Sequence, residues 1–362
     1  MKLIVEPNDG VAPLVSAIRK ATKTIEIAIF RFDYRAIEAE LQAAAARAVK
    51  VIVLIASVNR GGVESLRKLE LRCLAAGLSV GRTNDDLVRY HDKFIIIDRR
   101  TLYLLSFNFT RIDIERSRGF GIVTRNAQWV QEAAALFEAD RWRRRFTPRS
   151  NRFVVSPCNG RSVLARFLRR ARKQLLIYDP NISDKEMLGI LRARQKANVE
   201  IRVIGHVAGS LQAEVRQLAA IRLHTRTIIR DRHQAFIGSQ SLRASELDRR
   251  RELGLIIQDA KAVNKLADTF ESDWQGSERD AKRHDPEKSK PASDESKARE
   301  TAKVLAEELD PLTSSLKRTV KRVVLGAGEE ALEEKEVTST VKKIVKKAVK
   351  EAIHEVARDT KV

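Results

Sequence analysis

Apolar residues along this chain form short continuous runs and, between these runs, recur at helical spacing. This pattern predicts strands that alternate with helices. Short β-branched runs such as 25–30 (IEIAIF) and 51–55 (VIVLI) have the length and composition of buried strands. Amphipathic stretches with helical spacing, such as 11–22, accompany them. This alternation predicts an α/β fold in which helices flank mixed β-sheets.

The same order of elements occurs twice. Residues 5–10 read VEPNDG and residues 155–160 read VSPCNG, and each motif is followed by a helix pattern and an apolar strand. The offset between the copies falls from 150 residues at these motifs to 133 further on, which a duplication followed by an insertion explains. We therefore predict two fused, pseudo-symmetric repeats, residues 1–150 and 151–275.

The remaining residues differ in composition from the two repeats. Segment 276–300 has many charges and no apolar periodicity, which is typical of a linker. Segment 301–362 is predicted to be a helical tail, because between residues 341 and 356 apolar side chains recur at helical spacing around five lysines. Such a basic amphipathic helix fits an anionic membrane surface, the protein core or a second copy of itself.

The net charge of +21 is concentrated in the two repeats. Residues 276–362 contain 20 Lys+Arg and 18 Asp+Glu, so residues 1–275 carry +19. A field of this sign attracts nucleic acid, anionic lipid headgroups and other phosphodiesters without choosing among them. A basic surface that serves only solubility is the alternative.

Other features limit the class of protein. The first residues lack the apolar core of a signal peptide, and no run approaches the ~20 apolar residues of a membrane span. We therefore expect a cytoplasmic protein, with peripheral membrane contact as an option.

Two cysteines, Cys73 and Cys158, are too few for a disulfide framework and lack metal-site spacing.

Candidate chemistry lies in two aligned segments, 91–110 and 224–242. Aligned on their histidines, both have a cation two residues on, an aspartate seven on, a serine fifteen on and a small polar residue seventeen on. The matched pairs are His91 and His224, Lys93 and Arg226, Asp98 and Asp231, Ser106 and Ser239, and Asn108 and Ser241.

This spacing suits a phosphodiester. Residues i and i+2 of a strand share a face, so each histidine projects with its cation. Two such strands related by a pseudo-twofold axis would surround one cavity with two imidazoles and two cations, which can neutralise phosphoryl oxygens and protonate a leaving oxygen. The polar side chains predicted to complete the phosphate site are Ser106, Asn108, Ser239 and Ser241.

The paired pattern resembles the His-x-Lys-x4-Asp signature of the phospholipase D superfamily, with its downstream Gly-Ser-x-Asn, over residues 1–275. The resemblance implies that one imidazole attacks phosphorus to form a phosphohistidine while the other protonates the leaving alcohol and then activates water or an acceptor alcohol. It assigns His91 as nucleophile and His224 as general acid/base, with the reverse assignment as the alternative. It also implies a monomeric enzyme without metal or cofactor.

Under the same resemblance, Lys93, Arg226, Asp98 and Asp231 join the catalytic set. Both aspartates also precede an arginine in a sequence typical of hairpin turns, a role compatible with an orienting one. The remaining histidines, His206, His233, His284 and His354, are interpreted as structural.

The sequence departs from the family pattern at three places. Arg226 stands where the family has lysine, and Leu105 replaces the glycine before Ser106. Glu252 is expected to orient His224. The aligned position of the first copy is Gly119, so His91 is expected to lack that partner, with Glu115 or Ser117 as alternative partners.

Three functions compete. A phosphodiester hydrolase or phosphatidyltransferase acting on phospholipids is placed first, because two fused copies in one chain resemble the phospholipase D and cardiolipin synthase branches. An endonuclease acting on DNA or RNA is the second, and a weakened phosphate-binding module is the third. The run 141–146 (RWRRRF) mixes cations with aromatics, as nucleic-acid-binding and interfacial surfaces do, although an exposed connector is the favoured interpretation.

Overall fold

Strands and helices alternate in both halves of the chain, as the hydrophobic pattern predicts. A computed structural model describes residues 1–57, 62–209, 211 and 213–279. The predicted linker beyond residue 279 and the whole predicted tail, 301–362, lie outside the described residues. Both repeats fall within one compact unit.

The elements of the first repeat are, in chain order, β1 (Lys2–Glu6), α1 (Ala12–Arg19), β2 (Thr24–Ile29), α2 (Arg35–Ala46), β3 (Lys50–Ile55), α3 (Gly62–Ala75), β4 (Ser79–Arg82), β5 (Arg89–Tyr90), β6 (Phe94–Ile97), β7 (Thr101–Leu105), α4 (Arg111–Glu115), β8 (Ser117–Thr124) and α5 (Ala127–Arg141).

The second repeat follows the same plan with β9 (Phe153–Ser156), α6 (Gly160–Arg169), β10 (Gln174–Ile182), α7 (Lys185–Lys196), β11 (Glu200–Val207), β12 (Glu214–Leu218), β13 (Arg222–Leu223), β14 (Arg226–Arg230), β15 (Gln234–Gly238), α8 (Ala244–Asp248), β16 (Arg250–Ile257), α9 (Ala260–Gln275) and β17 (Ser277–Arg279).

Each repeat forms one mixed sheet, and the α/β fold is confirmed. In the described residues the first sheet runs β1-β8-β7-β6-β2-β3-β4 and the second runs β17-β12-β11-β10-β14-β15-β16-β5, with β9 beside β16. The strand pairs β2–β3 and β3–β4 are parallel, as are β10–β11 and β11–β12, whereas the hairpins β6–β7 and β14–β15 are antiparallel. The 14-residue helix α3 between β3 and β4 belongs to the first repeat alone among the described elements, which explains the fall in offset between the copies.

Both faces of the central strands are buried, which explains their nearly continuous apolar sequences. In β2, Ile25, Ile27 and Ile29 contribute to an outer core beneath α1, α2 and α3, and Ala28 faces the opposite side. Residues of both sheets meet in a second core around helices α5 and α9. The two repeats therefore share a core.

Short strands also cross between the repeats. Strand β5 of the first repeat pairs in parallel with β16 of the second, and β13 of the second pairs in parallel with β8 of the first. Each of these short strands ends at the residue directly before a predicted catalytic histidine. The exchange therefore places both histidines at the boundary between the repeats.

Candidate active site

Backbone hydrogen bonds from the opposite repeat hold both motif histidines. The N–H of His91 donates to the carbonyl of Arg251 over 2.8 Å, and the N–H of His224 donates to the carbonyl of Arg118 over 3.2 Å. Arg118 and Arg251 occupy the same position in their repeats, 133 residues apart. The geometry is thus pseudo-symmetric, as the sequence repeat predicts.

The side chain of His91 has a carboxylate partner from the other repeat. Its Nδ1 lies 3.0 Å and 3.1 Å from the two carboxylate oxygens of Glu252, which is fully buried. The ring of Phe30 contacts the imidazole edge-on, with 5.0 Å between centroids. A carboxylate on Nδ1 favours the tautomer that carries its proton there, which leaves the lone pair of Nε2 for chemistry.

The prediction that Glu252 orients His224 and that His91 lacks a carboxylate is therefore wrong. Glu252 lies on β16, whose neighbour β5 leads directly to His91. Because the strands are exchanged, Glu252 of the second repeat faces the histidine of the first repeat.

His224 lacks the orienting carboxylate that His91 has. Its Nδ1 is buried and has no hydrogen-bond partner in the described part of the chain. The position equivalent to Glu252 is Gly119, and a Cβ there would lie 2.9 Å from Cδ1 of Phe107. An aromatic side chain thus fills the space in which an orienting carboxylate would stand.

The carboxylate of Asp113 contacts the other ring nitrogen of His224, Nε2. Oδ2 of Asp113 lies 3.5 Å from Nε2 of His224, and the Asp113 side chain is buried. Burial opposes ionisation of Asp113, but the nearby His224, hydrogen bonds from Asn108 and the cation of Arg222 outweigh it, and the pKa of Asp113 is lowered. Asp113 is therefore charged at neutral pH.

Sequence reasoning missed Asp113 and its counterpart Glu246. Each lies five residues after the small polar residue of its motif, Asn108 or Ser241, and the two are 133 residues apart. Both accept a hydrogen bond from that residue's backbone N–H, over 3.0 Å and 2.7 Å. The matched acidic positions were the signal that could have identified them.

The two cations occupy equivalent places. Nζ of Lys93 donates to the carbonyl of His91, and an Nη of Arg226 donates to the carbonyl of His224 over 2.6 Å. Lys93 is buried, and burial, partly opposed by Glu252, lowers the pKa of its ammonium group to about 7. Lys93 therefore lies close to its titration point at neutral pH.

Both imidazoles favour the neutral form. Burial, with further contributions from Lys93 and Arg226, lowers the pKa of His91 well below its usual value. Burial also lowers the pKa of His224, against the opposing effect of Asp113, and the same two cations add to the lowering. Each cation thus lowers the pKa of both histidines, as is expected of charges that share one site.

The serines of the predicted phosphate site serve the fold instead. Oγ of Ser106 accepts the backbone N–H of Phe120 over 2.9 Å, and Oγ of Ser239 accepts that of Leu253 over 3.2 Å. Both serines are buried and join neighbouring strands of their own sheet. We therefore assign them a structural role.

The other two predicted phosphate ligands are engaged with neighbours. The amide nitrogen of Asn108 donates to Asp113 over 2.7 Å, so the atom left without a partner in the described residues is its oxygen, an acceptor. Oγ of Ser241 accepts from Nε of Arg226 over 3.3 Å. Lys93 and Arg226 are thus the predicted residues best suited to bind phosphoryl oxygens.

Asp98 and Asp231 lie at the far ends of their strands. The carboxylate of Asp98 accepts the backbone N–H groups of residues 22–24, and that of Asp231 accepts those of residues 172–174. Five residues of extended chain, roughly 16 Å, separate Asp98 from Lys93. We correct their catalytic assignment to a structural one, which agrees with their position in hairpin turns.

The chain has two fused α/β repeats, and each repeat contributes a His-x-cation motif to their shared boundary. This arrangement defines the class of phospholipase D-like proteins. The chain belongs to the phospholipase D superfamily: the family described as "Cardiolipin synthase, PLD-like domain" matches residues 14–142 and 164–274. The predicted family and the two-repeat fold are confirmed. No curated protein sequence matches the chain.

Solved structures share the fold. Polyphosphate kinase from Porphyromonas gingivalis is 21% identical with a TM-score of 0.63, over 75% of this chain and 50% of the kinase. Phosphatidylserine synthase from Haemophilus influenzae is 11% identical with a TM-score of 0.58, over 77% of this chain and 87% of the synthase. The chain thus spans about half the length of the kinase.

In the described ranges, no helix combines the length and apolar character needed to cross a membrane.

Proposed function

We propose that this chain cleaves or transfers phosphodiesters through a phosphohistidine formed on His91. The observation that carries the proposal is the contact of Glu252 with Nδ1 of His91, which directs the lone pair of Nε2 away from the carboxylate. A lowered pKa keeps this imidazole neutral, as a nucleophile must be. The equivalent nitrogen of His224 has no such partner in the described residues.

In the first step Nε2 of His91 attacks phosphorus, and the bond from phosphorus to the leaving oxygen breaks. Positive charge develops on the imidazole, which Glu252 stabilises from the opposite nitrogen. Lys93 and Arg226 stabilise the phosphoryl oxygens. A protonated His224 gives its proton to the leaving oxygen, since the bound phosphate and Asp113 both favour the charged imidazole.

In the second step His224 acts in the opposite sense. It takes a proton from water or from an acceptor alcohol, whose oxygen attacks phosphorus as the bond to Nε2 of His91 breaks. Water as acceptor gives hydrolysis, and an alcohol gives transfer. The proton returns to His224, and both side chains recover their starting states.

For the substrate, we propose nucleic acid ahead of phospholipid, which reverses the order that the sequence suggested. Residues 1–275 carry +19, which favours a polyanion with many phosphates. A lipid substrate calls for a continuous apolar surface. The large apolar side chains exposed in the described residues lie in four separate places and are Met1, Leu71, Leu74, Ile112 and Trp142.

The test is to incubate the purified full chain with single-stranded DNA and, separately, with vesicles of phosphatidylglycerol and phosphatidylcholine, alongside His91→Ala. We expect cleavage of DNA by the wild type and its loss in His91→Ala, measured on denaturing gels. Release of phosphatidate or headgroup with intact DNA would reverse the order of substrates. Equal inertness of both proteins on every substrate would leave only the phosphate-binding module.

A further inference from the structure

The end of helix α5 carries an exposed tryptophan followed by three arginines. Trp142 is 56% exposed, and Arg143, Arg144 and Arg145 are exposed as well. None of the three guanidinium groups has an ion pair or hydrogen bond within the described residues. We name residues 142–145 the arginine–tryptophan patch.

The indole of this patch is held in a fixed orientation. Its Nε1–H donates to a carboxylate oxygen of Glu138 over 2.8 Å, and the guanidinium of Arg141 lies 4.7 Å from the ring centroid. Glu138 also binds Arg99. A rigid ring with one face supported and much of its surface exposed suits stacking of a nucleobase, whereas a charged network around its edge opposes insertion into a bilayer.

The backbone of the patch adopts a conformation that its sequence does not favour. Arg143 has a φ of 58°, and the N–H of Arg144 donates to the carbonyl of Ala139 over 2.7 Å, which closes the end of the helix. Glycine or asparagine is the residue that this left-handed position favours. This backbone conformation projects Arg143 beyond the helix end, and its guanidinium has no partner in the described residues.

A short series of contacts connects the patch to the active site. Asp140, two residues before Trp142, forms a buried ion pair of 2.9 Å with Arg251, and the carbonyl of Arg251 accepts the N–H of His91. The position of the patch is thus linked to the backbone that carries the proposed nucleophile.

We propose that the arginine–tryptophan patch binds single-stranded nucleic acid, with Trp142 stacked on a base and Arg143, Arg144 and Arg145 contacting phosphates. The proposal deepens the proposed function, because it names the surface that holds the strand whose scissile bond reaches His91. The positive charge together with the rigid, exposed aromatic face favours this ligand over an anionic membrane.

Binding is tested with the full chain carrying His91→Ala, so that the strand stays intact. Fluorescence anisotropy of a labelled 20-nucleotide single strand is measured over a range of salt concentrations, with and without substitutions in the patch. We expect Trp142→Ala to weaken binding about tenfold. Joint substitution of Arg143, Arg144 and Arg145 by glutamine should lower the slope of log affinity against log salt by about 2.

The matched control removes the same charge elsewhere. Arg166, Arg170 and Arg172 are exposed in the second repeat, and their joint substitution by glutamine should leave affinity within twofold. Equal losses in patch and control variants, or unchanged affinity in both, would overturn the proposal. So would patch variants that bind phosphatidylglycerol vesicles less well while binding DNA normally.

This experiment separates the two proposals. Patch-dependent binding without any cleavage by the wild type would retain the patch and refute the proposed reaction. Cleavage by the wild type, with binding that does not depend on the patch, would support the proposed reaction and refute the role of the patch.

Discussion

At the scale of single residues, the contact between His91 and Glu252 distinguishes the two halves of the site. Glu252→Gln keeps the size of the side chain and removes the negative charge that stabilises the imidazolium in the transition state. We expect kcat to fall on the order of 10⁴-fold, by analogy with the loss of an orienting carboxylate in other histidine-dependent enzymes.

The matched control for that substitution is Glu132→Gln. Glu132 is also buried, but it accepts backbone N–H groups of residues 149 and 150, away from the histidines. Its substitution should leave kcat within twofold. A similar fall in kcat for both variants would show that loss of a buried charge, and not of the Glu252 contact, limits the enzyme.

Lys93 gives the reaction a predicted pH dependence. Its pKa of about 7 means that the ammonium charge needed to bind phosphate is lost as pH rises above 7. We therefore expect kcat/KM for a p-nitrophenyl phosphodiester, whose leaving group needs no proton from His224, to decline above pH 7, because kcat/KM reports the free enzyme. At low pH, protonation of His91 removes the nucleophile and lowers kcat/KM. Because the pKa of His91 is lowered well below its usual value, we expect this decline only below pH 6.5.

Lys93→Arg tests this origin, because arginine stays charged throughout the range. The alkaline decline of kcat/KM should disappear even if the rate itself is lower. Lys20→Arg, an exposed exchange remote from the motif, serves as control and should keep the decline. A decline that persists in Lys93→Arg would assign it to another group.

The sequence was sufficient to predict these residue types but not all of their pairings. Repeat alignment matched His91 with His224 and Lys93 with Arg226, because matched strands place matched side chains at equivalent points. It paired Glu252 with the wrong histidine, because a repeat alignment does not reveal which strands are exchanged between the copies. That information depends on long-range packing.

At the scale of elements, Asp98 and Asp231 clamp the turn before a central strand to the tip of a hairpin. Because Asp98 accepts several backbone N–H groups, Asp98→Ala should lower the free energy of unfolding by about 1–2 kcal/mol after allowance for its partial exposure. Urea denaturation measures the loss. Turnover per folded molecule should stay within twofold of wild type.

Asp231→Ala is the internal comparison, since its contacts are equivalent. A collapse of turnover in either variant without a change in stability would restore the catalytic assignment. The hydrophobic pattern predicted the strands around these residues well, because both of their faces are buried. It could not tell an aspartate that caps a turn from one that faces the cleft, because the spacing is compatible with both.

At the scale of the whole molecule, two ion pairs join the repeats, and each pair has one residue in each repeat. Arg251 of the second repeat binds Asp140 of the first at 2.9 Å, and Arg118 of the first binds Asp273 of the second at 2.7 Å. Arg251 also presents its carbonyl to His91. The ion pairs therefore fix the repeats in the arrangement that completes the site.

Asp140→Ala leaves the buried guanidinium of Arg251 without its carboxylate. We expect the free energy of unfolding to fall by about 3–5 kcal/mol. Replacing both partners, as Asp140→Leu with Arg251→Met, should recover most of that loss because no buried charge is left unpaired. Equal destabilisation by the single and double variants would contradict this explanation.

The central claim is that His91, oriented by Glu252 from the other repeat, is the nucleophile. The most direct test is to trap the phosphorylated enzyme with a p-nitrophenyl nucleotide phosphodiester, whose leaving group needs no acid, in the His224→Ala variant. Attack expels p-nitrophenolate, so peptide mass spectrometry under alkaline conditions should then find a nucleotidyl adduct on His91. Turnover of this substrate with an adduct on any other residue, or with no adduct on His91, would contradict the account.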